Sequence, residues 1–330
     1  MKMAHEIEII DGKAQMAYAG EVPWHGLGTQ VSPDSSPQEM LEAAGLNWDV
    51  VKQPLWYGKG NNRQVIDNKA ALVRETDNQL LSIVGDKWNP IQNSEAFELF
   101  SEMCTNGDME MNTAGSLKNG QIVWGLAKVK KSFVLKTQKG EDVVDSYLLF
   151  SNPHEFGKSA DVKFSPIRVV CNNTLTAALS NGKSSVRVTH RTAFDPEHVK
   201  NLLGIADMRL DTYQEAAEHL VSKRFKPDDL INYFNQVFPV SNQAKAMKAA
   251  DSVIASLSYT ARKAVNVMDE QPGAELGEGT WWQAFNAVTF LTDHELGRSA
   301  DARLQSAWYG PNNAVKSNAL KLATEFANAS

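Results

Sequence analysis

Residues 121–150 read QIVWGLAKVKKSFVLKTQKGEDVVDSYLLF, and this stretch decides the fold class. Gln121 to Val129, Ser132 to Thr137 and Val143 to Phe150 are strand candidates, rich in the β-branched and aromatic residues that suit a pleated surface. Lys139-Gly140 supplies a turn before the last of them. Upstream, Ala70 to Arg74 and Leu80 to Val84 flank the polar turn Thr76-Asp77-Asn78 and read as a hairpin. An antiparallel sheet is the simplest account. Two helices join it. Ser36 and Glu39 stand at capping-box spacing, with Met40, Leu41 and Ala44 as the apolar face. Ser94-Glu95-Ala96-Phe97 opens the other, with Phe97, Phe100 and Met103 spaced to face a core. Ile167 to Cys171 runs into Asn172-Asn173-Thr174, good N-cap residues for a helix through Leu175, Ala178 and Leu179.

From about Pro196 the pattern turns helical, with segments near Pro196 to Asp207, Thr212 to Arg224, Pro227 to Val237, Ser241 to Met268, Thr280 to Leu296 and Asn313 to Ala327. Met247, Ala250, Ile254 and Leu257 form an apolar stripe that suits a packed bundle. Asp195-Pro196 offers a cap and a first-turn residue for the next helix. The expected class is therefore α+β, with a basic sheet-and-helix region over residues 1–194 and a helical packing or oligomerisation region over 195–330.

The 330 residues are 42% hydrophobic and 22% charged, the mix of an ordered globular chain. No apolar run approaches the roughly 18 residues of a membrane span, and Met1 to Gly12 alternates acidic and apolar residues rather than placing a basic segment before an apolar one. A cytoplasmic protein with no membrane partner is expected. Cys104 and Cys171 lack paired Cys or His at metal-ligand spacing and read as small apolar groups.

Few patterns carry chemistry. Gly26-Leu27-Gly28 lacks the third glycine and the preceding strand of a dinucleotide loop, and no phosphate-binding G-x-x-x-x-G-K-[ST] occurs. The seven histidines show no H-x-x-x-H arrangement. Asp293-His294-Glu295 is compact, yet neighbours on a helix point in different directions, so it is either a metal site or a solvated face. No cofactor is expected.

The charge distribution is more informative. The chain carries −6 overall, but Lys118 to Arg191 holds 12 Lys or Arg against 5 Asp or Glu, about +7. Such asymmetry marks a candidate polyanion surface. If Lys128 to Lys136 is extended, Lys128, Lys130 and Lys136 share one face, while Lys131, Phe133 and Leu135 share the other. The alternative is a strand edge guarded by lysines against aggregation. Lys163, Arg168, Arg187, His190 and Arg191 form a second cluster suited to phosphate, or to ion pairs with the acidic half. Trp24, Phe133 and Phe156 could stack bases, whereas Trp281-Trp282 and Trp308-Tyr309 read as anchors of the helical region.

Pro23-Trp24-His25-Gly26-Leu27-Gly28, the Asn89 to Phe97 run, Gly115-Ser116-Leu117, Pro166 to Leu175 and Thr189-His190-Arg191-Thr192 resemble the phage/plasmid-like family catalogued as a domain of unknown function. Gly279-Thr280-Trp281 and Asn286-Ala287-Val288-Thr289 extend the resemblance towards the end of the chain. One departure is Thr189-His190-Arg191-Thr192 itself, where the family pattern has His-Thr or His-Arg-His-Thr. The resemblance implies carriage on mobile elements. A more remote likeness points to phage single-strand annealing proteins, the RecT and Erf families and Rad fifty-two, which form rings or filaments on single strands.

The leading expectation is a homo-oligomer that binds and anneals single-stranded DNA in phage or plasmid recombination without hydrolysing nucleotide, alongside a phage exonuclease or single-strand-binding protein. Two alternatives stand beside it: a protein-binding inhibitor or modulator of a host defence or replication factor, and a metal-dependent nuclease.

Overall fold

The computed structural model describes residues 7–20, 22, 26–168, 173–174, 186–191, 195, 211–240, 257–297, 306 and 310–330, the side chains of Lys131, Ile167, Arg168, Asn173 and Thr174 excepted. The expected helices at 196–207 and through Ala178, and the stripe from Met247 to Ile254, lie outside them. The class is α+β, with strand pairing in the first part that is antiparallel except between the third and fourth strands, and helices in the second.

A two-stranded pair, β1 (Ile9–Ile10) and β2 (Lys13–Ala14), precedes β3 (Met16–Ala19) and β4 (Thr29–Val31). Then come α1 (Pro37–Ala43), β5 (Val50–Tyr57), β6 (Gln64–Arg74), β7 (Leu80–Gly85) and α2 (Asn93–Thr105). The long strands β8 (Met109–Leu117), β9 (Ile122–Thr137), β10 (Gly140–Pro153) and β11 (Ala160–Arg168) follow, with short β12 (Asn173–Thr174) and β13 (Val186–Val188). The main sheet runs β12-β11-β10-β9-β8-β3-β4, with β13 also on β11, and β5-β6-β7 form a separate sheet.

Three sequence readings are revised. Gln121 to Val129 and Ser132 to Thr137 fall in one strand, in which Val129, Phe133 and Leu135 are buried while Lys130, Ser132, Val134 and Lys136 are exposed. Asn173 and Thr174, read as helix caps, pair with Arg168 and Ile167 as a strand, and the helix expected after them lies outside the described residues. The division is not one cut at residue 194. One compact unit contains residues 1–131, 147–164 and 185–206, and the other contains 132–146, 165–184 and 207–330. The β9–β10 hairpin tip thus belongs with the helices, since Phe133, Leu135 and Val144 are buried in their core.

In the first unit, α1 begins at the expected capping box, Ser36 Oγ accepting from Glu39 N–H at 3.2 Å while Glu39 Oε2 accepts from Ser36 N–H at 2.8 Å. Helix α2 begins one residue before the expected Ser94, capped by Gln92. The Gln92 amide also exchanges two hydrogen bonds with the Val50 backbone, acting as a strand partner for the start of β5. Phe97 and Phe100 of α2 lie over Gly125 of β9, where a Cβ would come within 3.2 Å of both rings. The helix can seat deeply because that position has no side chain. Buried Arg74 ends β6 in an ion pair with buried Glu8 at 2.8 Å and with Asp77, its guanidinium over the Trp48 ring.

In the second unit, residues 211–222 form α3, followed by α4 (Pro227–Val237), α5 (Tyr259–Val267), α6 (Trp281–Phe290) and α7 (Pro311–Asn328). Trp281 and Trp282 are fully buried, as anchors of the bundle should be. Trp281 stacks on Phe326 at 5.3 Å, and Trp282 Nε1 donates to buried Asp142 of the β10 hairpin at 2.8 Å. Helix α6 widens into a π turn at Leu291–Glu295. There Asp293 meets fully buried Lys316 at 2.9 Å, and Glu295 bonds Lys263 at 2.6 Å. The two carboxylates of Asp293-His294-Glu295 therefore hold separate lysines.

Candidate nucleic-acid interface

The described cations of the middle third stand in different surroundings. Lys128 is half-buried and registers opposite Glu110, and Arg187 registers opposite Asp161. Lys130 is exposed in a cleft it shares with Asp34 and Glu110. Lys136 lines a cleft of the helical unit together with Glu218, Glu275 and Glu278, the last of these already bonded to Lys139. Lys163 is half-buried. Lys131 and Arg168, in their side chains, and Trp24 lie outside the described residues.

Two further candidates are buried. Phe133 is 5% exposed and packs against Tyr213 at 6.0 Å within the helical core. His190 is 2% exposed, stacked on Trp88 at 4.0 Å, and its Nδ1 lies 3.1 Å from the Asn89 carbonyl. Burial pulls its pKa down to about 4, against the opposing pull of the Asn89 and Pro153 carbonyls. It is neutral at pH 7 and cannot act there as a cation for phosphate.

What His190 does instead is build a different site. Asn89 N–H donates to the His190 carbonyl at 2.6 Å, so the segment after β13 is clamped from both directions onto the loop between β7 and α2. Beneath it, buried Asn152 donates to the Ile91 carbonyl, and buried His154 Nε2 lies 3.1 Å from Asn93 Oδ1. Asn93 Nδ2 in turn donates to the carbonyls of Leu46 and Trp48. The Asn89 to Asn93 run, Asn152 to His154 and Thr189 to Arg191, three segments far apart in sequence, meet in one polar network.

Over this network opens a cleft of about 610 Å³ lined by Gly85 to Trp88, Phe156 to Ser159 and Thr189 to Arg191. Lys87, Lys158 and Arg191 are exposed in it, with Asp86 as its carboxylate. Phe156 is 60% exposed, its N–H held by Ser82 Oγ at 3.1 Å and its ring beneath Lys69 Nζ at 5.3 Å. Three of the expected residues, Phe156, His190 and Arg191, line this cleft, His190 as a buried part of its wall. Lys69, Lys87 and Lys158 were not anticipated: Lys87 and Lys158 are near Trp88 and Phe156 in sequence, whereas Lys69 reaches Phe156 only through the fold.

The model of the domain of unknown function DUF932 matches residues 80–308, which contain every residue of this cleft's lining. The chain belongs to the DUF932 family. For this DUF932 protein, no curated protein and no solved structure matches. No described helix of this DUF932 chain is long and apolar enough to cross a membrane, and no group of three or more metal-ligating side chains occurs among the described residues.

Proposed function

We propose that the protein binds single-stranded DNA through the Phe156 cleft and anneals complementary strands, acting as a homo-oligomer in recombination of phage or plasmid DNA. The observation that supports this most is Phe156, an aromatic face exposed between Lys69 and the cleft cations Lys87, Lys158 and Arg191. Every base has a π face, so an exposed ring with cations around it holds single strands whatever their sequence. The guanidinium fork of Arg191 suits a phosphate in two-point fashion, and the lysines act as point charges along the backbone. Clefts repeated around an oligomer would bind successive stretches of one strand and gain by effective concentration.

The experiment is an anisotropy titration of labelled oligo-dT with the full chain, wild type and Lys87→Glu/Lys158→Glu/Arg191→Glu, over a range of salt. Binding should weaken with salt at a slope of about −0.7 per phosphate contact, and the variant should lose both affinity and slope. Annealing of two labelled complementary strands, followed by energy transfer, should be lost in parallel. A wild-type chain that binds no oligo-dT ends this reading.

A further inference from the structure

The hairpin formed by the end of β5 and the start of β6 stands apart from the core. From Lys52 to Lys69 every residue is exposed except half-buried Leu55, although Trp56 registers against Val65 and Tyr57 against Gln64 as paired strands. Ordinary sheets bury one face, so a pair open on both faces is kept for contact with something else. Trp56 and Tyr57 are each 55% exposed, and the Tyr57 hydroxyl bonds Gln64 Oε1, which orients its ring. A bulge between Pro54 and Trp56 shifts the register. The charges are Lys52, Lys59, Arg63 and Lys69 against Asp67, in a chain that is −6 overall.

This arm grows out of the cleft. Lys69 pairs in register with Gly85, which lines the cleft, and covers the Phe156 ring. Lys52 Nζ donates to the carbonyl of Asp86, also in the lining, at 2.9 Å. The cations at the base of the arm are thus already part of the cleft rim, and those at its tip, Lys59 and Arg63, flank the 3-10 turn Gly60–Asn62.

We infer that residues 52–69 form a second contact for the same DNA strand, with Trp56 and Tyr57 as base-stacking faces and Lys59 and Arg63 as phosphate contacts beyond the cleft. The inference rests on the single-strand reading of the cleft and extends it outward by about 20 Å, the length of a six-residue strand. Positive charge beside exposed aromatic rings favours a polyanion with flat bases over an apolar protein partner.

The test uses the full chain with labelled oligo-dT of about six and about twenty nucleotides, since single-strand sites on small modules take roughly 4–16 nucleotides. Trp56→Ala/Tyr57→Ala and, as an independent second variant, Lys59→Glu/Arg63→Glu should each weaken the long oligomer about ten-fold or more while leaving the short one, which the cleft alone holds, unchanged. Unchanged binding of both lengths overturns the arm and spares the cleft. A fall in particle mass by light scattering, with affinity per chain unchanged, assigns the arm to a second copy of this chain and overturns the inference in the same way. If the wild-type chain binds neither length, the cleft reading has failed and the arm with it.

Discussion

His154 and Asn93 are both fully buried, and Nε2 of the histidine lies 3.1 Å from Oδ1 of the asparagine. The pair joins the end of β10 to the first turn of α2, and it also fixes how the protein responds to acid. Burial, with a smaller contribution from nearby His190, pulls the His154 pKa down to about 3 from 6.5, and burial holds His190 at about 4. Neither histidine takes a proton in the folded state at pH 5, but both do when the chain unfolds. The unfolded state therefore binds more protons between pH 6.5 and about 3, and the contribution of both groups to stability, complete above pH 6.5, is lost as the pH falls through that window. Urea midpoints measured from pH 7 to pH 4 should fall, and His154→Gln should make that slope shallower. An identical slope in the variant would contradict the assignment.

Arg74→Ala removes the cation that pairs with both Glu8 and Asp77, leaving buried Glu8 with the Ser116 hydroxyl at 2.8 Å. Stranding a buried charge costs about 3–5 kcal/mol. Chemical denaturation should show a loss of that size, and Glu8→Gln in the same background should restore part of it.

Lys316→Ala should be comparably costly, because Asp293 is 7% exposed in its side chain and loses its lysine. Replacing the pair together, as Lys316→Met/Asp293→Leu, should recover most of the loss, since apolar pairs of similar volume replace buried ion pairs at little cost. A double variant as unstable as the single would mean that the π turn depends on the charges themselves.

Gly125→Ala places a methyl group 3.2 Å from the rings of both Phe97 and Phe100. Overpacking of this kind costs about 1–3 kcal/mol. Adding Phe100→Leu should relieve part of it, which a thermal melt of the two variants would read directly.

Much of this fold was legible because its signals are local. The Ser36/Glu39 box and the β6–β7 hairpin need only a few residues each, and both formed as read. The Lys130-Lys131 pair looked like an interruption between strands, yet the backbone pairing carries straight through it, and Lys130 stands on the open side with Ser132, Val134 and Lys136. Asn173-Thr174 carries cap chemistry in sequence, and its backbone pairs with β11. The candidate site was legible only in fragments. Phe156 and Arg191 could be named because they lie in the basic third, while Lys69, Lys87 and Lys158 reach the same cleft from a strand and two loops whose convergence is a tertiary fact. An adjacent arginine suggests phosphate at His190, and nothing in sequence reveals that Trp88 covers its ring.

The interleaving of the two units along the chain governs the order in which they can be completed during synthesis. The first unit cannot close its polar network until His190 has left the ribosome, by which point Phe133, Leu135 and Val144 have been made and wait for helices encoded after residue 207. A fragment ended at residue 194 would keep the cleft but leave those three side chains without the core that buries them, and would be prone to self-association. Dissection of this protein is therefore best done by removing the 132–146 tip and the helices together, with a short turn closing β9 onto β10.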